Sequence, residues 1–257
     1  MRRQAWAAWL NASIGVALAM LAAGCATSSG GNAPPANTFS EVGYYPYQVK
    51  GYQGTYPRRR MVVLVPVDAR DYSDVGAADH QPLDGNPAAG IVLDASGRPT
   101  EHIYTAPLGP ILQISIRESA EEAGLVATAS GATIDDALKD KREDYVLTTR
   151  IVRCWVSKHS INDPAQPGVV TWSTNANVTL EVTIYKPPFK VPFWQGVSTD
   201  DYNDPPTDNA SGLGDDTPIY SQPGEVLSVA LTRAVAGIFK RDALHSLIVD
   251  DTMSQAH

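Results

Sequence analysis

From residue 61 onward, apolar positions recur with two periods. The run 61–67, Met-Val-Val-Leu-Val-Pro-Val, is continuous and Val-rich, as in a strand buried on both faces. Gly, Pro, Asp and Ala crowd residues 68–106 and predict a long loop. Next, Leu108, Ile111, Leu112, Ser115, Ile116, Ser119, Ala120 and Ala123 share one helical face, opposite Arg117, Glu118, Glu121 and Glu122. Pro107 suits the start of that helix and Gly124 its end. Residues 125–129 read as a second strand and 133–139 as a short helical turn. From 145 to 158 the chain mixes β-branched and aromatic residues. Tyr145, Leu147, Thr149, Ile151, Arg153 and Trp155 fall on one face, with Val146, Thr148, Arg150, Val152, Cys154 and Val156 on the other. A turn over 162–168 leads to a return strand, 169–186, in which Ala176, Val178, Leu180, Val182 and Ile184 alternate with polar residues. A short strand over 191–197 and a second long loop over 198–220 follow. Ser221 can cap a final helix with Pro223 and Glu225 in its first turn and a stripe of Leu227, Ala230, Leu231, Ala234, Val235, Ile238 and Leu244.

Strand, helix, strand, antiparallel strands and helix make an α+β protein: a two-layer domain whose mostly antiparallel sheet is packed by two helices and carries two long loops. That single domain spans 61–250, with 251–257 as a C-terminal tail.

The first 24 residues have a different character. Arg2 and Arg3 precede an almost uncharged apolar run, Trp6 to Leu21, which ends in small residues. This is the pattern of a secretory signal peptide, and the run is shorter than the roughly 20 apolar residues a spanning helix needs. The stretch Leu21-Ala22-Ala23-Gly24-Cys25 resembles the lipobox of bacterial lipoproteins. It departs from the commonest form in having Ala22 where Leu prevails. The resemblance implies cleavage before Cys25 and lipid (palmitate) on that residue. Each buried methylene contributes about 0.8 kcal/mol, so two or more chains anchor stably. Ala26, rather than Asp, follows the cysteine; for a Gram-negative source, the same resemblance implies the outer membrane and a periplasm-facing protein. Residues 25–60 then read as the lipidated Cys and a flexible tether, about 30 Å in r.m.s. span. Its tyrosines, Tyr44, Tyr45, Tyr47, Tyr52 and Tyr56, offer a second reading as a docking segment.

Charge narrows the partners. The formal net charge is −8, and removal of residues 1–24 takes away Arg2 and Arg3 and no acid, leaving −10. Such a chain repels nucleic acid. With Cys25 lipidated, Cys154 has no disulfide partner and reads as a small core residue.

Several short motifs recur in order in small periplasmic lipoproteins: Val-Leu-Val-Pro-Val-Asp at 63–68, Glu-Ala-Gly-Leu-Val at 122–126, Asp144-Tyr145-Val146-Leu147, Val-Thr-Leu-Glu-Val-Thr at 178–183, and Phe193-Trp194-Gln195-Gly196. They resemble the YajG-type lipoproteins and, more loosely, the periplasmic domain of the curli secretion lipoprotein, which share an α/β module similar to anticodon-binding domains. The resemblance implies an envelope-assembly or scaffold role and supplies no catalytic residue.

The chemistry-bearing residues form no recognisable constellation. His80, His102, His159, His245 and His257 lack the spacing of a metal-ligand pair, so no metal and no cofactor is expected. No nucleophile elbow, Ser-x-x-Lys motif, P-loop or dinucleotide fingerprint occurs. The Asp68, Asp71, Asp74 set and the Asp200, Asp201, Asp204, Asp208, Asp215, Asp216 set read as solvated loops rather than calcium loops. Trp155, Trp172 and Trp194 read first as core or edge packing and second as a stacking platform for a glycan.

The expectation is a non-enzymatic accessory lipoprotein acting on envelope proteins or on itself, through contacts at Asp71, Tyr72, His102, Tyr104, Asp201, Tyr202 and Asp204 on the two long loops. The alternative is a periplasmic module for a small ligand, a glycan or a lipid, and a third reading is a hydrolase with scattered residues.

Overall fold

Tyr145–Asn162 (β7) organises the sheet. Its β-branched and aromatic residues favour extended backbone, and 18 residues let it serve different neighbours at its two ends. Along one edge it pairs in parallel with Arg60–Leu64 (β2), then Val67–Asp68 (β3), then Ala88–Leu93 (β4). Along the other it pairs antiparallel with Val170–Tyr185 (β8) from end to end, and β8 pairs antiparallel with Pro192–Asp208 (β9). Val126–Ser130 (β6) extends β2 in parallel; Pro99–Tyr104 (β5) extends β4 antiparallel, and Ala36–Phe39 (β1) extends β5 in parallel. The computed structural model describes residues 34–45, 56–71, 82–140, 142–162, 170–208 and 222–254. All the elements named belong to one unit running from Pro35 onward. Residues 1–24, expected as a signal peptide, and Cys25, Tyr72 and His80 lie outside the described residues.

The sheet is mixed and curled, which corrects the expectation of a mostly antiparallel one. Alternation of apolar residues reports which face is buried, not strand direction. Direction is set by the connections: the chain leaves β2, runs through β3, β4, β5 and a helix, and returns as β6 parallel to β2.

Leu108–Glu122 (α1) follows the predicted face, burying Leu108, Leu112, Ser115, Ile116, Ser119 and Ala120. Gly124, at φ 108°, turns the chain out of it into β6. Ile134–Ala137 (α2) is a single turn capped by Thr133, whose hydroxyl accepts from the Asp136 N–H at 3.3 Å. The predicted final helix is two: Pro223–Phe239 (α3) and Asp242–Ser254 (α4). Gln222 rather than Ser221 sits at the N-cap of α3. The break at Lys240 lets Leu244 and Ile248 re-enter the core at a new angle. Helices α1, α3 and α4 all bury side chains in the main core on one sheet face. On the other face α2 covers a small cluster of Val62, Leu64, Ala137, Leu138 and Val146.

Strict alternation fails at one place in β7. A bulge between Ile151 and Arg153 swaps the faces. Before it Tyr145, Leu147 and Ile151 enter the main core; after it Cys154 and Val156 do. Cys154 is buried, and burial pushes its thiol up to about 12 although Arg70 acts in the opposite direction. Likewise the first apolar run is continuously buried only over Met61–Leu64; Val65 and Val67 are exposed on either side of the buried Pro66, which lacks an N–H for the ladder.

Three segments read as tether or loop are built into the fold. Residues 68–106 contain β4, an apolar and mostly buried strand between β7 and β5, and β5, whose sequence is mixed polar. Residues 198–208 continue β9 rather than forming a loop, so Asp201, Tyr202 and Asp204 are strand residues. The tether expected up to residue 60 includes β1 and a strap, residues 40–45, that crosses α3. Its backbone is met by hydroxyls: Gly43 N–H donates to Ser228 Oγ and Tyr45 N–H to Thr232 Oγ1, each at 2.9 Å. Gly224 admits the strap, since a Cβ there would lie 2.4 Å from the Glu41 carbonyl oxygen. Gly224, Ser228 and Thr232, spaced at i, i+4 and i+8, are therefore a track for the strap on an otherwise apolar helix. Val42 and Tyr56 join the main core.

Candidate functional site

A cleft of about 470 Å³ opens where the strap, the sheet and the start of α3 meet. Strand alternation selects its walls. Glu101 and Ile103 of β5 and Val92 of β4 face it, whereas His102, Tyr104 and Ile91 point to the opposite face. Lys158 comes from the far end of β7 and Trp172 from β8; β1 and the strap supply Thr38, Phe39, Ser40, Glu41 and Tyr45; residues 222–225 close it.

The polar groups are partly committed to one another. Thr38 Oγ1 donates to Glu101 Oε2 at 2.9 Å. Lys158 Nζ lies 5.1 Å from the centroid of the Trp172 ring, within cation–π range. Burial pulls the Lys158 ammonium down from its ordinary value, while Glu101 and Asp204 act to raise it. Phe39 is 56% exposed at the mouth.

Asp204 stands behind this lining. Its side chain is only 7% exposed, and no hydrogen bond to it occurs among the described residues. It lies two residues from Tyr202 on β9, and Tyr202 packs against the main core, so both face the helices. Burial, then repulsion from Glu225, raises its carboxyl above the ordinary range, and Lys158 only partly offsets this. A carboxyl whose folded pKa is raised destabilises the fold above its unfolded pKa, and that penalty disappears below it. Asp204→Asn is therefore expected to raise the thermal midpoint at pH 7 and to leave it unchanged near pH 3. Melting curves at both pH values check this; a lower midpoint at pH 7 would contradict it.

The loop residues expected to gather for partner contact do not gather. Asp71 is exposed at the end of β3; His102 is half-buried and Tyr104 buried on the face away from the cleft. Asp201 is exposed and accepts from Asn177 Nδ2; Tyr202 lies under Arg233, whose guanidinium carbon is 4.7 Å from the ring centroid. Only Asp204 bears on the cleft. Sequence reading missed Thr38, Glu101, Lys158 and Glu225 as a group. Trp172, singled out as a candidate platform, is half-buried in the cleft wall, whereas Trp155 is core. Among the described residues no group of three or more His, Cys, Asp or Glu side chains could hold a metal ion. Among them too, no helix is long and apolar enough to cross a membrane.

Fold and cleft together define an α+β domain with a mixed-charge cleft at the far end of its longest strand. No family model and no curated protein matches the chain. Among solved structures it is similar to a DUF330 protein from Xanthomonas campestris, at TM-score 0.44 and 11% identity over 84% of this chain and 98% of that one. A neuraminyllactose-binding hemagglutinin homolog from Helicobacter pylori matches at TM-score 0.40 and 10% identity, over 80% of this chain and 98% of that one. Lipoprotein GNA1162 from Neisseria meningitidis matches at TM-score 0.24 and 9% identity, over 78% of this chain and 98% of that one.

Proposed function

We propose that this protein is a non-enzymatic accessory lipoprotein of the bacterial envelope, lipidated on Cys25, held at the periplasmic side of the outer membrane, and acting by keeping a partner in the cleft. The observation that carries this reading is the origin of the cleft's wall. Thr38, Phe39, Ser40, Glu41 and Tyr45 belong to the segment that follows the lipobox most closely among the described residues. Chain geometry limits Cys25 to about 40 Å from the start of β1. Whatever occupies the cleft is thereby kept within reach of the lipid surface. The short motifs resembling YajG-type lipoproteins support the same role.

The exposed ring of Phe39 and the half-buried ring of Trp172 favour one alternative, a small ligand or glycan stacked in the cleft.

A photo-crosslinking amino acid at Phe39 in intact cells tests the proposal. Discrete adducts with envelope proteins are expected, together with loss of the protein from the membrane fraction and loss of the adducts in Cys25→Ser. Cys25→Ser protein that stays in the membrane fraction would overturn the anchor. Adducts that persist in that released protein would show that anchoring does not position the cleft.

A further inference from the structure

The cleft's charges do not balance. Glu41, Glu101 and Glu225 line it, and Asp204 lies behind it within electrostatic reach of Lys158 and Glu225. Among the described residues, one lysine and the start of α3 stand against these four carboxylates. A helix N-terminus carries the equivalent of about half a positive charge, and Glu225, in the first turn, already faces it. The surplus is therefore about two and a half negative charges in a partly dry recess. Even with Lys158 counted in full, the recess stays acidic, and part of that lysine's field is directed at the Trp172 ring. Glu101 is engaged by Thr38 and Glu41 is exposed to solvent, which leaves Glu225 and Asp204 as the more enclosed acids without that partner.

The walls narrow the ligand further. Phe39, Tyr45 and Trp172 present aromatic surface, and Val92 and Ile103 are apolar. Carboxylates beside aromatic faces suit a cation with a hydrocarbon stem, whose head pairs with the acids while its methylenes cover the rings. A hydrated metal ion would gain nothing from the rings, and an anionic sugar or phosphate would meet repulsion.

We infer that the cleft binds an organic cation, an ammonium or guanidinium group on an aliphatic stem, with Glu225 and Asp204 as its counter-charges. The inference rests on the cleft being the binding site named above and gives that site a ligand chemistry. Two sources share this chemistry: a free polyamine, and a lysine or arginine side chain on a partner polypeptide.

The test uses the mature lipidated protein in nonionic detergent micelles. It is titrated with spermidine, with an end-blocked oligolysine peptide and with inorganic phosphate, followed by calorimetry and tryptophan fluorescence. Saturable one-site binding of a cation is expected, weakening as salt screens the charges. Binding should fall at least tenfold in Glu225→Gln and in Asp204→Asn. It should tighten in Lys158→Met, which removes the competing cation; a merely structural role for these residues predicts no gain. Tighter binding of the peptide assigns the cation to a partner polypeptide, and tighter binding of spermidine assigns it to a free polyamine. No saturable binding of either cation, equal affinity in all variants, or binding of phosphate instead would overturn the inference. If these titrations fail while the Phe39 crosslinks persist, the ligand chemistry is wrong and the accessory role stands. If a cation binds and the crosslinks are absent, the ligand chemistry stands and the accessory role is wrong.

Discussion

Gly90→Val is expected to destabilise the domain more than any surface change, by about 3 kcal/mol or more. Gly90 lies where β4 joins the far end of β7. A Cβ at this position would sit 2.2 Å from the Val156 carbonyl oxygen and 2.5 Å from Val156 Cγ1. The first obstacle is backbone within the ladder, so no rotamer change relieves it; β4 must move away from β7. That movement also displaces Val92, paired with Glu101 of β5, and with them two walls of the cleft. For a domain of this size, 3 kcal/mol lowers the thermal midpoint by on the order of 10 °C. Gly131→Ala is the control, because a Cβ there meets nothing within 4 Å; its effect is expected within about 0.5 kcal/mol. Thermal melts of the two variants side by side decide the matter. A Gly90→Val midpoint equal to that of Gly131→Ala would mean that β4 does not approach β7 as described.

Tyr56→Ala is expected to cost about 3–5 kcal/mol, the range for emptying a buried aromatic site. Tyr56 lies in the stretch whose Gly, Pro and Tyr composition reads as linker, and a linker tyrosine would change stability by less than about 0.5 kcal/mol. Here its ring stands edge-on to Phe239, with centroids 6.4 Å apart, and edge-on to His245 at 5.0 Å. Its hydroxyl donates to the Phe239 carbonyl at 3.0 Å, at the end of α3 where intrahelical donors have run out. Its own N–H donates to the Ala123 carbonyl at 3.0 Å, just past α1. One residue thus ties the ends of two helices together. Tyr56→Phe keeps the ring and loses one hydrogen bond, so it should cost only about 1 kcal/mol. Chemical denaturation of the pair separates the packing contribution from the hydrogen bond. Wild-type stability in Tyr56→Ala would return residues before 60 to the status of a tether.

Much of the core was legible along the chain. The face of α1, its stop at Gly124, the alternation of β8, the apolar stripe of α3 and the buried Cys154 all follow from local periodicity and backbone preference. These need only the few neighbouring residues that share a face. The cleft was not legible, because its members come from β1, β4, β5, β7, β8 and α3 and share no spacing. Its clearest local trace is Trp172. The two loops chosen for length were misread for a related reason. β4 is a short apolar run holding a glycine, β5 begins at Pro99, and the second half of β9 is rich in Asp and Pro, so pairing with their neighbours completes them as strands.

By itself the chain specifies an apolar run over 6–21, an acidic composition, and most of the helices and strands of the domain, since these depend on short-range pattern. Tertiary structure decided three further things. Parallel partners for β7 arise because β2, β3 and β4 share one of its edges, and pattern carries no direction. The β7 bulge after Ile151 sends Cys154 and Val156 inward, because one extra residue resets a period of two. The strap over α3 gathers Glu41, Glu101, Glu225, Lys158 and Asp204 around one recess. Electrostatic imbalance is a property of groups brought close in space, and distance along a chain does not report it.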